Sequence, residues 1–302
     1  MRLRILVSLL ILARAAAAQE LEPRSYSASP IGTSFFLLAY ARSDGAVLFD
    51  PTIPVTDVNA TVNSISPGYG HVFAIGKVQA LFTATMPYAV AHLTGKLAST
   101  GADSALDRTG VGDLKVKVSA NFVGSPALTP AEFAKTPPKP LIVGASVAIV
   151  APTGQYFPDK LINVGANRWA FKPEVGVSYN WNAKLYLDFY TGVWLFAANP
   201  SAFPTGTNTV TQDPLLSLQL HASYTIRPRF FAALDATWYD GGSTHLNGGP
   251  PSTRQDNSRI GALLSYGFSA HEAVKLSFSD GASARVGQNF TTWALVYQVL
   301  WF

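Results

Sequence analysis

The chain has 302 residues, of which 48% are hydrophobic, 12% aromatic and only 13% charged, and it lacks cysteine. Soluble domains average roughly 25% charged residues. This composition argues against an ordinary cytosolic enzyme, and against a disordered chain, which would be charge-rich and aromatic-poor; the missing cysteine excludes disulfides, thiolate metal sites and cysteine nucleophiles.

The formal net charge of +4 is set by the first residues. Arg2 and Arg4 make a basic start, Ile5 to Ala13 an apolar run, and Ala16-Ala17-Ala18 a small-residue cleavage site. That pattern predicts a secretory signal peptide over 1–18, with a single domain over 19–302. Its removal takes three arginines from the 22 basic residues and leaves 19 against 18 acidic ones. A near-neutral mature chain offers no electrostatic footprint for nucleic acid.

A membrane-spanning helix needs about 20 mostly apolar residues. The best uncharged run, Leu141 to Pro152, is too short. The apolar residues alternate instead, which is how a sheet presents one face to lipid and the other to its interior. Strands are predicted at 32–43, 55–69, 71–97, 111–123, 140–151, 169–181, 184–196, 214–226, 229–240, 258–269, 272–282 and 289–302. In the fourth, Leu114, Val116, Val118, Ala120 and Phe122 oppose Asp113, Lys115, Lys117, Ser119 and Asn121. In the sixth, Phe171, Val175, Val177, Tyr179 and Trp181 oppose Lys172, Glu174, Gly176 and Ser178. The third contains Pro87, which bends it or divides it in two.

Short connections are predicted around Gly70, Asn182, Pro228 and Ala270, and longer ones at 44–54, 98–110, 152–168, 197–213 and 241–257. Twelve strands, short turns at one end and long loops at the other specify an all-β, transmembrane, antiparallel up-and-down β-barrel of the outer membrane. A soluble β-sandwich also alternates, but its strands are usually 5–6 residues long. One short-side link, 124–139, is proline-rich and is expected to hold a helical turn starting at Thr129 with Pro130 at its first position. The chain ends in the aromatic Phe302, the expected contact for the barrel-assembly machinery; the other expected partners are the lipid bilayer and a small-molecule solute.

Several stretches carry a family resemblance. They include Ser29-Pro30-Ile31-Gly32-Thr33, Val47-Leu48-Phe49-Asp50-Pro51, Gly112-Asp113-Leu114 and Pro126 to Phe133. Val150 to Tyr156, Asn167-Arg168-Trp169-Ala170-Phe171-Lys172-Pro173-Glu174, Gln212-Asp213-Pro214, Asn257-Ser258-Arg259 and Trp301-Phe302 complete the set. The chain resembles the outer-membrane proteins of the "MetA-pathway of phenol degradation" family over nearly all of its mature length. The resemblance implies a barrel that passes small organic compounds, aromatic ones among them, and it names no catalytic residue or cofactor.

The polar face of the strands is the expected lumen. It carries Lys77, Lys115, Lys117, Arg168, Lys172, Arg259 and Lys275 against Asp57, Asp113, Glu174, Asp188 and Asp235. Such a mixture suits either a wet pore or an interior closed by salt bridges. A hairpin centred on Asn182 would make Lys172, Glu174 and Asp188 diagonal neighbours, as a constriction or as a structural ion network. A hairpin centred on Pro228 places His221 opposite Asp235, with Ser217 and Ser223 near. That set admits nucleophilic catalysis, against the plainer reading of a hydrogen-bonded structural histidine. His245 is expected at a loop tip, and a lone histidine makes no metal site. Tyr186, Tyr190, Trp194 and Tyr239 form a lumenal aromatic ladder, joined in one reading by Trp293 and Tyr297. It could stack aromatic solutes or pack beneath the loops. Passive transport ranks first, a structural or adhesive barrel second, and a membrane-embedded hydrolase third.

Overall fold

The computed structural model describes residues 22–48, 55–97, 100–203, 206–285 and 287–302, so the predicted signal peptide at 1–18 lies outside the described residues. The strands are β1 (Ser34–Leu48), β2 (Val55–Ile75), β3 (Val78–Thr85), β4 (Tyr88–Leu97), β5 (Asp103–Val111) and β6 (Leu114–Val123). After the helical turn α1 (Pro130–Phe133) come β7 (Leu141–Ala151), β8 (Ala170–Asn180), β9 (Leu185–Phe196), β10 (Asn199–Ala202) and β11 (Asn208–Gln212). Then follow β12 (Leu215–Arg227), β13 (Phe230–Gly241), β14 (Thr244–Leu246), β15 (Gln255–Gly267), β16 (Glu272–Ser283) and β17 (Gly287–Trp301).

Each strand pairs antiparallel with its neighbours, and β1 closes the ring by pairing with both β17 and β2. The wall therefore closes on itself, the only way a β structure can satisfy its backbone in hydrocarbon; among the described strands of this sheet β5 is paired on one side alone, to β4. The wall has twelve strands, because β3 with β4, and β5 with β6, each form one interrupted strand. The first break falls at Met86-Pro87, since proline brings no N–H to the ladder. Pairing bridges the break: Met86 N donates to Pro67 O at 3.2 Å and Gly112 N to Pro87 O at 2.7 Å.

Several predicted boundaries move: β1 runs to Leu48, into the loop expected at 44–54, and the loops expected at 197–213 and 241–257 contain β10, β11 and β14. The turn expected at Gly70 lies instead between Ile75 and Val78, because β2 continues past Gly70 with His71 paired to Phe82. The loop expected at 98–110 is mostly strand, since β5 begins at Asp103 and pairs along β4. The helical turn stands where expected, capped by Thr129 and Glu132, which bond each other's backbone N–H.

The barrel is inside-out relative to a soluble fold. Phe122, Trp181, Leu220, Leu234, Ile260 and Trp293 stand exposed on the outer wall, while Lys172, Glu174, Asp188, Gln219 and His221 are buried. Outward aromatics pair at the turn end, Tyr179 with Trp181 at 6.1 Å and Tyr266 with Phe268 at 5.2 Å, as an interfacial girdle requires. Trp293 and Tyr297 belong to this outer wall, which removes them from the lumenal ladder. The lipid face makes a sharp prediction. Leu234, 68% exposed near the middle of β13, should resist charge. Leu234→Arg is expected to cost about 2–4 kcal/mol of stability, read by urea unfolding in lipid vesicles; a soluble sandwich would tolerate an exposed arginine there.

Toward the loop end the pattern inverts on β1, β2, β4 and β5. The outer wall carries Arg42–Asp44 at 2.8 Å and His92–Asp107 at 2.6 Å, both pairs solvent-exposed. The inner side carries Val47, Val58, Ala60, Val62, Ala91, Leu93 and Phe290, packed with Ile162 from the 152–169 connection. These strand ends project past the apolar belt into water, where a polar exterior and an apolar interior are the stable arrangement.

Candidate functional site: the barrel interior and its N-terminal segment

Residues 22–33 run through the interior from the turn end. Gly32 N donates to Val72 O and Ile31 N to Leu128 O, each at 2.8 Å, which anchors the segment beside β2 and the 124–139 link. Ser29 N donates to Gln79 Oε1 at 2.7 Å, and Asn121 Nδ2 to the Tyr26 carbonyl at 2.9 Å. The segment then crosses to β9 and β12. Arg24 donates from its backbone N to Asp188 (3.1 Å), from Nε to Ser223 Oγ (2.7 Å) and from Nη2 to Thr225 Oγ1 (2.9 Å). Its guanidinium lies between the rings of Tyr186, at 4.2 Å, and Phe231, at 4.1 Å.

Tyr26 is the centre of this arrangement, at 1% exposure. Its hydroxyl lies 3.0 Å from Ser146 Oγ and 3.1 Å from Glu174 Oε1. Its ring meets Tyr190 edge-on at 5.2 Å, and Ser25 N donates to the Tyr190 hydroxyl at 3.1 Å. Glu174 is a hub. Lys172 Nζ stands 2.6 Å from one carboxylate oxygen and Lys117 Nζ 3.2 Å from the other, with Gln219 Nε2 at 3.2 Å. Buried charges persist only when paired and hydrogen-bonded in this way.

The β8–β9 register separates one predicted trio. Glu174 pairs with Gly192, and Asp188 with Ser178, so the hairpin centres on Ala183, not Asn182. Asn182 Oδ1 accepts from the N–H groups of Lys184 and Leu185, and Ala183 takes a left-handed φ of 62°, which sets that loop length. Lys172 and Glu174 therefore meet, while Asp188 sits further toward the turn end, level with His221 on the neighbouring strand. His221 does face Asp235, Nδ1 to Oδ1 at 2.5 Å, both buried. The serines complete no triad: Ser223 Oγ is engaged by Arg24, and Ser217 lies four residues along the strand from His221.

The aromatic ladder divides. Tyr186 and Tyr190 hold the N-terminal segment. Trp194 and Tyr239 pack with Val150, Ala170 and Leu215 beneath the loops, with the Lys115 and Lys172 ammonium groups 5.7 and 5.8 Å from the indole. Arg259 Nη2 donates to Ser279 Oγ and Phe290 O, tying β15 to β16 and β17. Asp57 leaves the lumen: it is exposed, with φ 52°, and sits 3.7 Å from Lys96. Asp113 accepts from Gly154 N and Ala166 N at 2.8 Å each and so pins the 152–169 connection to the wall. Among the described residues no group of three or more His, Asp or Glu could hold a metal ion.

The long loops are folded over one another. β10, β11 and β14 form a small sheet of their own, and Arg168 Nη2 donates to Gln212 Oε1 at 2.5 Å. His245, expected at a bare loop tip, lies in β14 with Nδ1 3.0 Å from Gly249 O and Nε2 3.2 Å from Asp213 Oδ1. The Gly249 carbonyl, then Asp213, raise its pKa above the ordinary 6.5. A raised folded-state value means the contact stabilises fully below about pH 6.5 and is lost as pH rises through the folded value. Limited proteolysis of the loops is therefore expected to accelerate between pH 6 and pH 8.5, and His245→Ala should remove that difference.

Sequence reasoning missed Arg24 and Tyr26, because an irregular segment ahead of the first strand shows no periodicity. The available signal was glycine within strands: Gly144 and Gly176 mark a close approach of another group.

A closed twelve-stranded barrel with an apolar outer belt, a buried charge network and an internal segment has the architecture of an outer-membrane β-barrel. The family described as "Putative MetA-pathway of phenol degradation" matches residues 43–299, and the chain belongs to it. The fold is similar to that of the COG4313 outer membrane channel from Pseudomonas putida F1, at TM-score 0.77 and 20% identity over 93% of this chain and 100% of that one. The transport unit of the autotransporter AIDA-I from Escherichia coli aligns at TM-score 0.52 and 13% identity, covering 95% of each chain. The beta domain of the Bordetella autotransporter BrkA aligns at 0.52 and 10%, covering 90% and 100%. These likenesses concern the fold. No curated protein matches the sequence.

Proposed function

We propose that the protein is an outer-membrane channel, not an enzyme, for passive passage of small organic compounds, aromatic ones among them. The observation that carries this reading is a two-sided interior. A polar file of Glu174, Lys172, Gln219 and His221 on β8 and β12 lines one wall, and an apolar cluster of Val58, Val62, Leu93 and Phe290 on β2, β4 and β17 lies at the loop end of the opposite wall. A solute with a ring and one polar group finds partners on both sides. Export through the 1–18 signal peptide, a mature domain over 19–302 and recognition of Phe302 by the assembly machinery belong to the same reading.

The test is single-channel recording of the refolded barrel in planar bilayers, with and without phenol or toluene. Discrete open steps that aromatic solutes reduce are the expected result. A heat-modifiable, folded barrel with neither steps nor solute entry into liposomes would sink the reading in favour of a structural role.

A further inference from the structure

We propose that the slot holding Tyr26 is a binding site for a small phenol, occupied here by the chain's own phenol side chain, and that solute and Tyr26 compete for it. The proposal rests on the channel reading above and names the solute class for it.

The slot is built into the wall. Gly144 and Gly176 are in register on β7 and β8. A Cβ on Gly144 would come within 2.6 Å of Tyr26 Cδ1, and one on Gly176 within 2.1 Å of Tyr26 Cε2. Any other residue at either position would fill the space the ring uses. Tyr190, in register with Gly176, presents an edge-to-face partner at 5.2 Å, a geometry aromatic pairs prefer. One rung toward the loop end, Ser146 and Glu174 are again in register, and both lie within hydrogen-bond distance of the hydroxyl. The Lys117 ammonium stands 5.6 Å from the ring centroid, within cation–π range.

These features describe one ligand class: a planar ring with a hydroxyl donor at one end. Tyr26 enters through its Cβ, so the position para to the hydroxyl opens onto the path of the backbone segment. A para-alkyl phenol fits that shape, and p-cresol is the Tyr26 side chain itself. Toluene brings the ring but gives Glu174 and Ser146 no donor. A site built around a substrate hydroxyl rejects the analogue that lacks it far more strongly than an apolar pocket rejects a changed methylene. Cyclohexanol brings the hydroxyl without the aromatic face that Tyr190 and Lys117 meet.

Equilibrium dialysis of labelled p-cresol, toluene and cyclohexanol against the refolded protein tests this. Wild type, Tyr26→Ala and the double variant Tyr26→Ala/Gly176→Val are compared, with folding checked by heat modifiability. Tyr26→Ala is expected to bind one p-cresol per chain at least about tenfold more tightly than wild type does, and about tenfold more tightly than it binds the other two solutes. Gly176→Val should abolish that binding. Equal binding of all three solutes, or p-cresol binding indifferent to Gly176→Val, overturns the proposal. If Tyr26→Ala does not fold, deletion of residues 22–29 empties the same slot. Selective binding without entry of p-cresol into liposomes upholds the slot and refutes transport. Entry without selectivity for the phenol upholds transport and refutes the slot.

Discussion

Replacing Tyr26 with alanine is expected to raise the time-averaged conductance of the barrel sharply. The segment 22–33 is held in the interior by the Arg24, Ser25, Tyr26 and Ser29 contacts, and Tyr26 is the one large side chain it buries almost completely. Removing a fully buried aromatic ring costs about 3–5 kcal/mol. Part of that is recovered as the emptied slot relaxes, so a net shift of about 2 kcal/mol against docking is a conservative figure, roughly thirtyfold in an equilibrium constant. A segment docked about nine times in ten would then be mostly undocked. Recording wild type, Tyr26→Ala and Tyr26→Phe side by side checks this. Tyr26→Phe keeps the ring against Gly144 and Gly176 and should open the barrel much less. Identical conductance in all three variants would mean that the segment does not obstruct the path.

The second large effect is on stability. Glu174→Gln is expected to destabilise the barrel by about 3–5 kcal/mol, because it breaks a buried pair and leaves the Lys172 ammonium with its nearest counter-charge removed. The Lys172 and Glu174 side chains are only 2% and 3% exposed and 2.6 Å apart, so water cannot replace the lost partner. Lys117 is less affected, since its side chain keeps 24% exposure. Replacing the pair together, as Lys172→Met with Glu174→Gln, should recover much of the loss, because no buried ammonium is then left at position 172 without its counter-charge. Urea unfolding in lipid vesicles reads both variants. A single Glu174→Gln variant as stable as wild type would show that the carboxylate is not what holds these lysines in the interior.

The two effects differ in kind. Glu174 joins β8 to Lys117 of β6 and Gln219 of β12 across the interior, so it belongs to the barrel's own framework. Tyr26 borrows one oxygen of that carboxylate and gives nothing to the wall that the wall needs to close. Loss of Tyr26 should therefore change passage with little change in unfolding, and loss of Glu174 should change both.

Much of this molecule was determined by its sequence alone, wherever a residue's environment depends only on its place along a strand. Alternation on Leu114–Val123, Ala170–Asn180 and Leu215–Arg227 assigns one side to lipid and the other to the interior without knowledge of any neighbour. The His221–Asp235 pairing followed from one tight turn, and the helical turn at Thr129 from the proline at its first position. Where the outer wall leaves lipid for water the rule changes sign. Asp103–Val111 reads as a loop because its outward residues are polar, although it is a strand over an apolar inner cluster. The register of β8 on β9 turned on a single loop residue, enough to separate Asp188 from Glu174. Only the tertiary structure decided what fills the interior. Tyr26 lies 120 residues from Ser146 and 148 from Glu174, and no local pattern encodes a contact between an irregular segment and the far wall of a closed sheet. The ring of strands had to close before there was an inside for that segment to enter.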